Sequence, residues 1–81
     1  MTQRKPRATQ FVVCIDNHDY PASLELHKIY RIIPDESAAA DGDIRVVDES
    51  GEDYLYASER FVEIEPPQMV KRSLLHAAKA A

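Results

Sequence analysis

Tryptophan is absent from these 81 residues, and cysteine occurs once. A single thiol makes no internal disulfide and builds no zinc site unaided, so the core has no covalent or metal staple. Glycine occurs only twice, which leaves no glycine-rich loop to cradle a phosphate. Long apolar runs are missing as well. The longest, Phe11-Val12-Val13-Cys14-Ile15, falls far short of a membrane span or a signal-peptide core, so a reducing, cytoplasmic setting is the expectation. A chain this short forms one domain and buries roughly 60–65% of its unfolded surface, too little for a deep catalytic cleft. What is present, 44% hydrophobic and 30% charged residues, is the composition of a globular fold rather than a disordered chain.

The net charge of −4 conceals an asymmetry. Residues 1–9 carry Arg4, Lys5 and Arg7 without an acid, and residues 66–81 carry Lys71, Arg72 and Lys79 without an acid. Residues 10–65 therefore hold all 14 carboxylates against four cations, a net charge of −10. An acidic body sits between two short basic arms. Such arms solvate the chain or neutralise the body; contact with nucleic acid through them is the weaker reading, because the body repels phosphate.

Periodicity divides the chain into three stretches: a disordered basic arm over 1–9, a β-rich body over 10–65 and a helical tail over 66–81. Gln10–Ile15 is β-branched and aromatic, the pattern of a strand buried on both faces. Turn formers from Asp16 to Pro21 open a long loop, with Leu24-Glu25-Leu26 as a short extended piece within it. Lys28–Ile33 predicts a strand with Tyr30 and Ile32 on its inner face, ended by Pro34. Residues 34–42 read as a mobile polar loop whose three alanines form at most one helical turn. Ile44–Val47 and Asp53–Tyr56 flank Asp48-Glu49-Ser50-Gly51 as a hairpin, with Gly51 where positive φ is needed. Ala57–Arg60 reads as a single helical turn. Phe61–Glu65 then alternates Phe61, Glu63 and Glu65 against Val62 and Ile64, a half-buried last strand. After Pro66-Pro67, Met69, Val70, Leu74, Leu75 and Ala78 make a helical apolar stripe, expected to lie across the body rather than to pair with a second chain.

Five short strands in this span predict an all-β domain that closes on itself as a small barrel, which removes exposed edges. The loop order (long loop, medium loop, tight hairpin, one helical turn) is that of a Src-homology-3-like barrel. Closer still are Cys14-Ile15-Asp16-Asn17, Ser23 to Tyr30, Ile44 to Tyr56 and Arg60-Phe61. This order resembles a group of small bacterial proteins, mostly uncharacterised, in which a leucine and Lys-x-Tyr strand precedes a Val-x-Asp-x-x-Gly hairpin and a final Tyr and Arg-Phe. The resemblance spans residues 12–65 and implies the barrel fold; a barrel of this kind is reused for many tasks and implies no single function. Two departures stand out. The tryptophan of eukaryotic peptide-binding domains is missing, so proline-rich recognition is not implied, and His27 replaces the glycine that commonly precedes Lys-x-Tyr.

Chemistry is sparse. Cys14 sits in a strand read as buried, as a structural thiol does rather than a nucleophile. Asp16, His18 and Asp19 share a turn-rich loop but lack the glycine and distal glutamate of a calcium loop, and His27 and His76 have no ligand spacing. No cofactor is implied. Acid pairs such as Asp48/Glu49 and Glu52/Asp53 flank a turn, read as exposed and without the desolvation that shifts a pKa. The constellation that remains is aromatic and acidic: Tyr20, Tyr54 and Tyr56 with Asp16, Asp19 and Glu36, lining one shallow groove. Tyrosine suits interfaces through its flat apolar body and polar tip, and the carboxylates favour a cationic partner. The expectation is a non-enzymatic, monomeric interaction module that binds a basic peptide or protein surface. The alternative is an accessory nucleic-acid binder using the basic arms.

Overall fold

The computed structural model describes residues 10–80, with side chains through residue 76; the basic arm expected over residues 1–9 lies outside the described residues. Strands β1 (Phe11–Cys14), β2 (Ile29–Ile33), β3 (Asp43–Val47), β4 (Asp53–Ala57) and β5 (Phe61–Ile64) form one antiparallel sheet in the order β4-β3-β2-β1-β5. Helix α1 (Glu36–Ala40) joins β2 to β3, a 3₁₀ turn (Ser58–Arg60) joins β4 to β5, and α2 (Gln68–Ala80) ends the chain.

The expected mainly-β architecture is therefore present, but its ladder does not close: β4 and β5 stand at opposite ends of the strand order. The three-residue 3₁₀ turn carries the chain from one end of the sheet to the other. The sheet curls over a single core as it does so. Rings of the two end strands meet inside it, Tyr56 and Phe61 lying 6.1 Å apart at 68°. Val12, Cys14, Leu24, Tyr30, Ile32 and Val46 fill the rest, and Cys14 is wholly buried, as expected of a structural thiol. β2 makes the curl possible by dividing its ladder: Ile29–Arg31 pair with β1, whereas Ile32 and Ile33 pair with β3.

The hairpin forms where the turn chemistry placed it, with Val47 opposite Asp53 and Gly51 at φ +88. Tyr30 and Ile32 face the core as their alternation required. Three local expectations need correction. Phe61 pairs with Cys14 and shares its inward face while Val62 points to solvent, so the alternation breaks at the start of β5, and of the pair Val62 and Ile64 only Ile64 is half-buried. Leu24 and Leu26 do not form an extended piece: Asn17 Nδ2 donates to the Leu24 carbonyl, and the Ser23 and Leu24 amides donate to that of Tyr20. These turns drive Leu24 into the core and leave Leu26 exposed. The loop after Pro34 is ordered by its own cap, because Asp35 accepts from the Ala38 amide and Ala38 is buried.

The tail is helical as expected, and part of its apolar stripe is left exposed. Met69 is 80% exposed, and Val70 and Leu75 are exposed too; Leu74 and Lys71 are half-buried. Lys71 pairs with Glu65, just ahead of the helix. The helix is tethered at its first turn, where the two prolines fix the exit direction.

Candidate functional site

The β3–β4 turn is built from carboxylates that serve as acceptors. Asp48 is only 6% exposed. Its Oδ1 accepts from the Ser50 amide at 2.9 Å and the Ser50 hydroxyl at 2.6 Å, and its Oδ2 accepts from the Tyr56 hydroxyl at 2.5 Å. Burial alone raises this carboxyl, but the bonds from Ser50 and Tyr56 outweigh it and hold Asp48 below its ordinary range. The Tyr56 hydroxyl is pushed up to about 12, by burial first and by donation to Asp48 second. The expectation that these turn acids are exposed and unperturbed is thus overturned at Asp48, because a cross-strand tyrosine covers it.

Glu49 repeats the device one residue on. It accepts from Lys28 Nζ at 2.7 Å and from the Tyr30 hydroxyl at 2.5 Å, and these bonds, Lys28 first, lower its carboxyl. The same Tyr30 oxygen accepts from the Glu25 amide at 2.7 Å, and the Glu49 amide donates to the Ser23 carbonyl at 3.0 Å. The long loop over residues 15–28 is thereby fastened to the hairpin turn at three points.

That fastening places Tyr20 and Ser23 opposite β4 and leaves a groove of about 390 Å³ between them, floored by Tyr56 and Asp48 and walled by Tyr54 and Leu55. The three expected tyrosines meet here. Tyr20 packs edge-on against Tyr56, with centroids 5.0 Å apart at 86°. Tyr20 is 39% exposed and Tyr54 49%, whereas Tyr56 is buried beneath them. The three acids expected with them do not line it. Asp16 and Asp19 lie behind Tyr20, 3.5 and 3.6 Å from Arg60. The Arg60 guanidinium stacks 4.8 Å over the Tyr20 ring and donates to the His18 carbonyl at 2.7 Å. Glu36 sits on α1 and is absent from the lining. The groove's carboxylate is instead Asp48; Glu52 lies outside the lining and accepts from the hydroxyl of Tyr54, which walls it.

Asp48, Ser50, Ser23 and Leu55 are the lining residues that sequence reasoning passed over. The Asp48-x-Ser50-Gly51 spacing carried a signal, since an aspartate two residues before a serine folds a turn onto its own carboxylate. A second, smaller cavity of about 220 Å³ lies between α1, β3 and β5, lined by Ile32, Pro34, Ile44, Arg45 and Glu63 among others. Beside it Arg45 is shared by Asp35 at 2.8 Å and Asp53 at 2.9 Å.

Among the described residues, no group of three or more His, Cys, Asp or Glu is placed to hold a metal ion, and no helix is long and apolar enough to cross a membrane. No protein-family model, curated protein or solved structure matches the chain.

Proposed function

We propose that the chain is a non-enzymatic interaction module whose tyrosine groove binds a basic peptide or protein surface. The groove itself carries the reading: Tyr20, Tyr54 and Tyr56 converge on one cleft with a buried carboxylate in its floor. Aromatic walls give a cationic side chain a flat surface for cation–π contact, and Asp48 supplies the counter-charge. The Arg60 guanidinium stacked on Tyr20 is an internal example of the same contact. Asp48 and Glu49 are held down and Tyr30, Tyr54 and Tyr56 are pushed up, so around neutral pH the groove presents fixed carboxylates and neutral hydroxyls to a partner.

We further propose that the scaffold is a Src-homology-3-like barrel of the kind that the sequence resembles. The strand order, the 3₁₀ turn between β4 and β5, and the Tyr56–Phe61 contact across the curl all support it. A solution structure that shows β4 and β5 packed across the core through Tyr56 and Phe61, with the outer edge of β4 unpaired, is the test of this scaffold.

For the binding reading, titration of the intact chain with an arginine-rich peptide, followed through tyrosine fluorescence, should show saturable binding that a glutamate-rich peptide does not reproduce. Tyr54→Ala should weaken it, since the ring is exposed and its loss leaves the core intact. Equal binding of both peptides, or none, refutes the reading. Binding of a DNA duplex that collapses with salt would instead favour the arms.

A further inference from the structure

The groove runs along an open sheet edge, and this determines how it would take a peptide. Tyr54 and Leu55 are consecutive in β4 and point to opposite faces, yet both line the groove. Only a cleft that borders the strand's edge touches both. β4 is an end strand, paired to β3 on one side alone.

The register shows which groups face the cleft. The Asp48 amide donates to the Glu52 carbonyl and the Ser58 amide to that of Gly42, at 3.1 and 2.9 Å. Closely bonded and open pairs alternate along an antiparallel ladder, so Tyr54 and Tyr56 spend their amides and carbonyls on β3. Asp53 and Leu55 turn theirs outward and Ala57 its amide, over about 14 Å of strand, while the Ala57 carbonyl accepts the first bond of the 3₁₀ turn. Outside the helices and strands, no backbone bond reaches Asp53, Leu55 or the Ala57 amide among the described residues, and β4 pairs with β3 alone. Leu55 is 47% exposed, a long apolar side chain on an unprotected edge.

We infer that β4 accepts an extended, arginine-bearing peptide as a sixth strand, its backbone bonded to Asp53, Leu55 and the Ala57 amide and alternate side chains resting against Tyr54 and Asp48. The inference rests on the binding reading above and specifies its mode. Charge selects the occupant. Around the groove Glu49 is matched by Lys28, Asp53 by Arg45, and Asp16 and Asp19 by Arg60. Asp48 and Glu52 have no cation among the described residues, and the partner supplies it. A second copy of β4 would bring its own Glu52 and Asp53 against these acids, which disfavours self-pairing.

The probe is an acetylated peptide alternating arginine and valine, together with a twin methylated on alternate backbone nitrogens. Binding is expected to slow hydrogen exchange at the Leu55 and Ala57 amides of the full chain. Methylation should weaken binding about tenfold or more, the effect of losing one or two backbone bonds. Leu55→Pro removes an outward amide without touching the β3 ladder and should do the same, while Tyr54→Ala should weaken both peptides. If Tyr54→Ala weakens binding but the methylated twin binds as well as its parent, the groove is used and strand addition is wrong. If neither peptide binds, the binding reading fails and this inference with it. Self-association through β4 on sedimentation would also overturn it.

Discussion

Two residues show how single positions carry the architecture. His27 adopts φ +67, in the left-handed region where a side chain costs about 1–2 kcal/mol, and its amide donates to the Cys14 carbonyl at 2.7 Å. The glycine that the resemblance places there fits this backbone freely. His27→Gly should therefore stabilise the fold by about 0.5 kcal/mol, after the entropy glycine adds to the unfolded chain is set against the strain. Urea denaturation reads it; a lower midpoint would show that the imidazole contributes more than its backbone costs. Tyr30 combines a buried ring with a hydroxyl that joins Glu25 to Glu49. Tyr30→Ala should cost about 3 kcal/mol or more, as large aromatic truncations do. Tyr30→Phe should cost about 1–3 kcal/mol, because it keeps the ring but leaves the Glu25 amide and the Glu49 carboxylate short of a partner. Equal losses for the two variants would mean that the ring contributes nothing beyond its hydroxyl.

Among the elements, the β3–β4 hairpin holds both the fold and the groove, and Asp48 is its keystone. Asp48→Asn keeps the shape but replaces one acceptor oxygen with an amide NH2 donor and removes the charge. It should destabilise by about 1.5–3 kcal/mol, the range for hydrogen bonds to charged groups, and unfolding by urea measures it. The hairpin was legible because Asp48 to Gly51 carries turn chemistry between two alternating strands, and Tyr30 was legible because Arg31 separates it from Ile32. Other features depend on distant pairings that local patterns do not encode. Phe61 faces inward because Cys14 lies opposite it, and Asp48 is buried because Tyr56 reaches back across the ladder. The candidate site divided in the same way. Its tyrosines could be read from residue type, but Asp16 and Asp19 were drawn out of the groove by Arg60, far along the chain. The stripe of α2 was legible as a helix, but Met69, Val70 and Leu75 stay exposed on it, since periodicity reports a face and not what covers it.

For the whole molecule, the carboxylate and tyrosine networks set a stability window in pH. Asp35, Asp48 and Glu49 all titrate below their ordinary values of 3.8, 3.8 and 4.5 in the fold. Each accepts hydrogen bonds as the anion, so each contributes stability that is present above its ordinary value and is lost as pH falls through its depressed one. The tyrosines act in the opposite sense. Tyr56 is raised from 10.0 to about 12, and Tyr30 is raised further by burial and by Glu49, so the neutral hydroxyls belong to the fold. Their contribution is present below pH 10 and is lost as pH rises through the raised values. Acidification also relieves repulsion within a body of net charge −10, which opposes the first loss. The relief is spread over solvated, screened charges, whereas the lost bonds are short and partly buried, so the bonds decide the sign. Unfolding free energy measured in urea should therefore be flat from about pH 5 to pH 9.5 and fall on both sides. Tyr56→Phe, which has no hydroxyl to ionise, should flatten part of the alkaline fall and leave the Glu49 part of the acid fall in place. A profile that rises below pH 4 would show that relief of repulsion outweighs these carboxylate bonds.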